Sequence, residues 1–215
     1  MRPVALQGII GRDVIAKIER YYDSIGTYRS EVMRKADPGE SLDWVTPYIK
    51  MHVPEAGEFL GGNFYKHSQP YLPHTDHQVK WGDSINVVIP VALYDVTSLP
   101  HLLVFDQVWD RGTATWTLDL PIMPGVISSS TNEQIKGRPF DTPGVKGLTD
   151  RDVDEDFHRK YLSRDRSQYH GLSGVALPFV PGSLLVFPNK QIHGTAKFTG
   201  TKLGLSLRFK QRGNK

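Results

Sequence analysis

Cysteine is absent from the 215 residues, which excludes disulfides and thiolate metal sites and leaves the redox compartment unmarked by this residue. Long apolar runs are absent too: none approaches the roughly 20 residues needed to cross a bilayer. The apolar stretch within Met1 to Arg12 is too short and too interrupted for a secretory signal. Charge of one sign is scarce, with a net charge of only +3 and no Lys/Arg block that reads as a nucleic-acid patch. No internal repeat or low-complexity segment is visible. These absences lead us to expect a cytoplasmic protein with no membrane partner, they speak against a nucleic-acid partner, and they leave its oligomeric state open. What remains, 39% hydrophobic and 23% charged residues, suits one globular domain large enough to bury a substantial core.

Hydrophobic spacing organises the chain simply. Asp13 is placed to cap a helix carrying Val14, Ile18, Tyr21, Tyr22, Ile25, Tyr28 and Val32 on one face, with Pro38-Gly39 ending it. Short strands with turn signals follow, the pattern of a sandwich or barrel. A second helix is expected from about Asp150 to Leu162, with Asp152, Asp154, Glu155 and Asp156 crowding its start and Arg159 and Lys160 its end, in agreement with the helix dipole. The acidic cluster lacks the glycine and spaced ligands of a calcium loop. The class is therefore mainly β with flanking helices (α+β).

The chemistry is concentrated in His74-Thr75-Asp76 and in His193, which follows the run Pro181-Gly182-Ser183-Leu184-Leu185-Val186-Phe187-Pro188. A His-x-Asp triplet carries little alone in a chain with 8 His; its setting gives it weight. Two residues apart on a strand, His74 and Asp76 project to the same side. A His from a distant strand can complete one face of an octahedron, the two-His-one-carboxylate set expected of non-haem Fe(II) oxygenases. An extended segment from Gly62 to His67 precedes the triplet, an almost wholly apolar strand from Ile85 to Leu93 follows it, and another strand, Lys202 to Phe209, lies close behind His193.

Four stretches resemble the Fe(II)/2-oxoglutarate-dependent oxygenase superfamily: Asn63 to His77, Phe179 to Phe187, Ile192-His193-Gly194, and Gly200 to Arg208. Some of them are similar to prolyl-hydroxylase-like members, which show a tyrosine upstream of His-x-Asp and a basic residue after a glycine beyond the second His. The resemblance implies a double-stranded β-helix, or jelly-roll, with the metal at its open end. It divides the single domain of residues 1–215 into a helical support (1–60), a jelly-roll core (61–105 and 171–215) and an insertion able to serve as a lid (106–170). His74, Asp76 and His193 would hold Fe(II); 2-oxoglutarate would chelate it as co-substrate and leave one position for dioxygen.

The far carboxylate of 2-oxoglutarate needs a cation, because a buried unpaired carboxylate is costly. Lys202 stands nine residues after His193, as in prolyl-hydroxylase-like members; Arg208 stands fifteen after, a spacing similar to clavaminate- and cephalosporin-type members. Lys202, Gly204, Ser206 and Arg208 share one side of a strand while Leu203, Leu205 and Leu207 take the other, so periodicity does not choose between the two cations. Tyr65 is a candidate hydroxyl donor to the same carboxylate. His67 and His77 flank the triad as candidates for orienting the ligands.

The intact Asp76 argues for hydroxylation, or for desaturation or ring closure, and against halogenation, whose enzymes lack this carboxylate. Between Phe105 and Gly171, Trp109, Arg111, Trp116, Arg138 and Ser128-Ser129-Ser130 occupy the stretch expected to set the substrate. Trp109 and Arg111 are the candidates for contacting it, Arg138 is a further anion-binding candidate, and Trp116 reads as packing. The favoured reading is hydroxylation of a small molecule such as a free amino acid or natural-product intermediate. The alternatives are a peptidyl (prolyl-type) hydroxylase or nucleic-acid demethylase, and a non-catalytic jelly-roll binding module.

Overall fold

A computed structural model describes residues 1–25, 33–36, 44–118 and 132–213. Its strands are β1 (Val4–Leu6), β2 (Met33–Ala36), β3 (Ala56–His67), β4 (His74–Thr75), β5 (Ser84–Tyr94), β6 (His101–Val108), β7 (Thr113–Trp116), β8 (Asn132–Ile135), β9 (Gly174–Pro178), β10 (Leu184–Pro188), β11 (Gln191–Thr195) and β12 (Thr201–Gln211). The helices are α1 (Arg12–Ser24), α2 (Thr46–His52) and α3 (Glu155–Tyr161). The strands form two six-stranded sheets, in the order β1-β10-β5-β12-β3-β2 and β8-β7-β4-β11-β6-β9. Every pairing is antiparallel except β7 with β8.

Alternation along the strands explains how both faces of the first sheet are buried. Ile85, Val87, Ile89 and Val91 of β5 and Leu203, Leu205, Leu207 and Phe209 of β12 pack with Ile18 and Tyr22 of α1 and Ile49 of α2. The opposite face, represented by Val88, Leu185 and Phe187, meets Leu102 and Val104 of β6 and Phe179 between the sheets. The outer face of the second sheet is covered by Val153, Leu162, Tyr169 and Leu172. Each large aliphatic side chain removed from water in this way contributes about 1.5–3 kcal/mol. A turn at Pro181-Gly182, where Gly182 adopts φ 85°, delivers the chain into β10; left-handed backbone of this kind favours glycine.

The helices are shorter than hydrophobic spacing predicts. Residue Gly11 occupies the N-cap of α1 and makes no side-chain cap, so Asp13 lies in the first turn and complements the dipole from there. Helix α1 ends at Ser24; Tyr28, Val32 and Pro38-Gly39 lie outside the described residues. The α3 helix begins at Glu155, not near Asp150, because Asp154 caps it by accepting from the Phe157 amide at 2.9 Å. Asp152 instead bonds to His170 Nδ1 at 2.7 Å. Helix α2, which begins Thr46-Pro47, was not anticipated; proline suits its first turn.

The 106–170 stretch does not simply leave the sandwich. Strand β6 runs on to Val108, and β7 pairs with β4 through His74↔Thr115 and Thr75↔Ala114. The serine triplet at 128–130 lies outside the described residues. No helix among the described residues is long and apolar enough to cross a membrane.

Candidate metal centre

His74 and His193 are direct partners in the β4–β11 ladder. Antiparallel pairing brings together two imidazoles far apart in sequence, with ring centroids 4.2 Å apart. Asp76 follows immediately after β4, and its Oδ2 lies 3.7 Å from His193 Nε2. One donor atom from each of the three residues falls within 4.8 Å of the others.

The main chain fixes both histidines for coordination. His74 Nδ1 donates to the Leu72 carbonyl at 2.8 Å and His193 Nδ1 donates to the Gln191 carbonyl at 3.0 Å. A carbonyl only accepts, so each Nδ1 carries a proton and each Nε2 is the nitrogen left on the side of a metal. Burial pulls the His74 pKa down to about 4, which keeps the ring neutral and ligating. Burial alone would raise the Asp76 carboxyl; the Arg208 guanidinium beside it outweighs burial and holds the group well below the usual carboxylate range. The orienting work expected of His67 and His77 is therefore done by the carbonyls of Leu72 and Gln191 and by Arg208. His77 Nδ1 instead faces the Asn189 amide at 3.2 Å.

The two competing cations part company in the structure. Arg208 donates from Nη2 to Asp76 Oδ2 at 3.0 Å and from Nη1 to Asn63 Oδ1 at 2.9 Å, and its guanidinium lies 5.9 Å from the Trp81 ring centroid. Lys202 is 1% exposed and has no acidic partner among the described residues. Its ammonium donates to Thr195 Oγ1 at 3.3 Å and sits 4.5, 5.4 and 5.9 Å from the ring centroids of Phe179, Phe198 and Tyr65. Burial pulls its pKa down to about 7. A buried ammonium in contact with rings and one hydroxyl has donors to spare, and an unpaired buried charge is costly.

Tyr65 shares this space because Gly204 opposite it has no side chain. A Cβ at residue 204 would fall 2.5 Å from the Tyr65 Cζ and Oη. Burial, then the negative influence of Tyr71 and Asp76, raises the Tyr65 phenol, so its hydroxyl stays a donor. Tyr71 behaves similarly and is pushed up to about 12. Tyr71 also stacks on His67, with centroids 4.2 Å apart, and approaches His74 at 5.9 Å.

Trp109 and Arg111 are not brought to the triad. Trp109 is buried in the layer covering the outer face of the second sheet, edge-on to Trp116, and the Arg111 guanidinium sits against its ring at 5.5 Å. Arg138 pairs with Asp141 at 2.7 Å. Trp116 is plain packing, as read from the sequence, and its Nε1 is satisfied by Thr142. Residues around the site that sequence reasoning passed over are Asn63, Tyr71, Asn86 and Thr195. Their available signals were periodic: Asn63 lies two before Tyr65, Thr195 two after His193, and Asn86 interrupts an apolar strand.

No protein-family model matches the sequence, and no curated protein matches it. Solved structures do match in shape. HygX from Streptomyces hygroscopicus, with nickel and 2-oxoglutarate bound, aligns at TM-score 0.53 and 9% identity over 97% of this chain and 82% of that one. The non-heme α-ketoglutarate-dependent epimerase SnoN from nogalamycin biosynthesis aligns at TM-score 0.52 and 9% identity, over 96% and 76% of the two chains. The fold is the double-stranded β-helix of these proteins. The carbocyclase SnoK from the same biosynthesis is similar at TM-score 0.51 and 8% identity, over 97% and 79%. At these identities the likeness is one of fold. It shows that the double-stranded β-helix expected from the four sequence stretches is present.

Proposed function

We propose that this protein is an Fe(II)- and 2-oxoglutarate-dependent oxygenase that hydroxylates a small molecule. The observation that carries the reading is the buried, acid-free Lys202 ammonium in the same sandwich as the two-His-one-carboxylate set. The donor set fits a ferrous ion: two imidazoles whose Nδ1 protons are taken by main-chain carbonyls, leaving Nε2 for the metal, and one ionised carboxylate. The orphan cation fits the far carboxylate of a dicarboxylic keto acid.

In this assignment His74, Asp76 and His193 hold the metal, Lys202 pairs with the far carboxylate, and Thr195 and Tyr65 flank the pair as hydroxyl groups. Arg208 belongs with Asp76 and keeps the ligand ionised and oriented. Bound Fe(II) and 2-oxoglutarate would supply dioxygen activation: the keto acid and O₂ give succinate, CO₂ and one oxygen atom inserted into a substrate C–H bond. The chain's own contribution is placement and exclusion of water. Phe187, packed 4.8 Å from the His193 ring, Phe179 and Phe198 make the surroundings apolar. The carbonyls of Leu72 and Gln191 hold the imidazole protons away from the metal side.

Support for a small-molecule substrate comes from neighbours above: SnoN is described in complex with nogalamycin RO and HygX with hygromycin B. The decisive test is anaerobic addition of Fe(II) and 2-oxoglutarate, which should produce a weak metal-to-ligand charge-transfer band in the visible, followed by succinate release in air. A folded protein that gives no band is not an oxygenase of this type.

A further inference from the structure

Asn86 is fully buried, yet among the described residues neither its amide nitrogen nor its amide oxygen meets a partner. Buried amides in folded proteins are almost always paired, so an exception calls for an explanation. Its place in the fold supplies one. On β5, alternation puts Asn86 on the same face as Val88, between the two sheets. Its cross-strand neighbours are Arg208 on β12 and Phe187 on β10. Those neighbours touch two of the candidate metal ligands, Arg208 at Asp76 and Phe187 at His193. All three ligands belong to the second sheet or its immediate continuation, and the contact of Phe187 with His193 shows that they face the first sheet, where Asn86 stands.

Level along the strands separates this position from the keto-acid end. Lys202 and Arg208 are six residues apart on β12, roughly 20 Å of strand, and Asn86 is level with Arg208. At that level the Nε of Arg208 is also buried without a partner among the described residues, and the half-buried Trp81 offers a ring face. The local charge is already balanced, since Arg208 is paired with Asp76. An amide with both ends unanswered needs a group that donates and accepts; a carboxylate would satisfy the nitrogen alone.

Resting on the oxygenase reading, we propose that Asn86 is a specificity-determining residue that binds a neutral hydroxyl or amide group of the substrate, beside a ring or apolar portion lying against Trp81. Charged substrates such as free amino acids are disfavoured at this level.

The test uses the whole protein and the variant Asn86→Leu, which replaces both polar atoms by methyl groups in the same branched shape. Without ligand, the variant should melt a few degrees higher than wild type, because an unanswered buried amide has been removed; a lower melting temperature would mean a structural role and overturn the proposal. Succinate release by the Fe(II)-loaded enzyme is then measured with two neutral arms, inositols and methyl glycosides or N-acetyl amino-acid amides, and with free amino acids as the charged comparison. The expected result is stimulation by one neutral arm, which identifies hydroxyl or amide, and a KM for that probe at least tenfold higher in Asn86→Leu. Stimulation by charged probes alone, by no probe, or with an unchanged KM overturns it, as does a loss that falls on 2-oxoglutarate affinity instead. Wild-type protein that shows no charge-transfer band defeats the oxygenase reading itself, and this inference with it; a normal band with any of the other failures defeats only the role of Asn86.

Discussion

Lys202 and His67 face each other across the β3–β12 ladder, both buried; among the described residues the first has a single hydroxyl partner and the second has none at Nε2. His67 Nδ1 donates to the Gln69 carbonyl at 2.6 Å, so Nε2 is an unprotonated acceptor. Burial, then the charge of Lys202, lowers the His67 pKa to about 3. A neutral imidazole is the form that can sit beside an ammonium without repelling it. The pair is therefore built around one positive charge.

On the proposed assignment, that charge should make keto-acid binding depend on pH. Lys202 titrates near 7 in the ligand-free protein, and only its protonated form pairs with a carboxylate. The dissociation constant of 2-oxoglutarate should be flat below about pH 7 and rise about tenfold per pH unit above it, since a proton must then be taken up on binding. Calorimetric titrations from pH 6 to 9 would show this, and a flat profile would count against Lys202. For ligand-free protein the sign follows from a folded pKa lying below the unfolded value of about 10.4. Its contribution to stability is fully present above that value and is lost as pH falls to about 7.

Replacing Lys202 by Met tests the same residue without titration. The variant should bind 2-oxoglutarate at least tenfold more weakly, the lower bound for losing a charge-assisted contact of about 1.5–3 kcal/mol. It should also unfold at higher denaturant than wild type in the absence of ligand, because a poorly paired buried ammonium is gone. Arg208→Met should leave no comparable gain.

Arg208 predicts a different signature. Removing it strips Asp76 of its closest cation, so Arg208→Met should destabilise the ligand-free protein by about 2 kcal/mol, a figure reduced for the partial exposure of both side chains. Added Co(II) should recover most of the loss if a metal takes over the carboxylate. Urea unfolding with and without Co(II) measures both.

The triad variants His74→Ala, Asp76→Ala and His193→Ala should each lower Co(II) affinity by about a hundredfold or more and abolish succinate formation. Retained turnover in all three would rule out the metal assignment.

Gly204→Ala should displace the Tyr65 ring, whose atoms lie 2.5 Å from the new Cβ. We expect about 1–3 kcal/mol of destabilisation and weaker 2-oxoglutarate binding, read by thermal melts and by the charge-transfer band. Ser206→Ala, two residues on, should melt close to wild type.

Much of the centre was legible because its chemistry is local in part: His74 and Asp76 announce each other two residues apart, and β12 shows its alternation plainly. The choice between Lys202 and Arg208 was not legible, since both lie on one face. It turns on Asp76, which is 132 residues from Arg208 in sequence and is brought to it only when the sheets close. The short α2 escaped notice because one buried residue, Ile49, leaves no periodic trace. Strand β7 escaped for a similar reason: its four residues gain their place from pairing with β4, which is itself two residues long. Trp109 and Arg111 looked available because a loop-rich composition does not reveal which side of a sheet the loop will cover.

The ligands of the candidate metal come from one sheet and Lys202 from the other. Metal alone would fasten a single leaf of the sandwich, whereas a keto acid spanning from metal to lysine would act as a clasp across both. Small changes in how far apart the leaves sit would then select the length of the molecule that can bridge them, and the backbone spacing itself would act as a ruler for the proposed co-substrate.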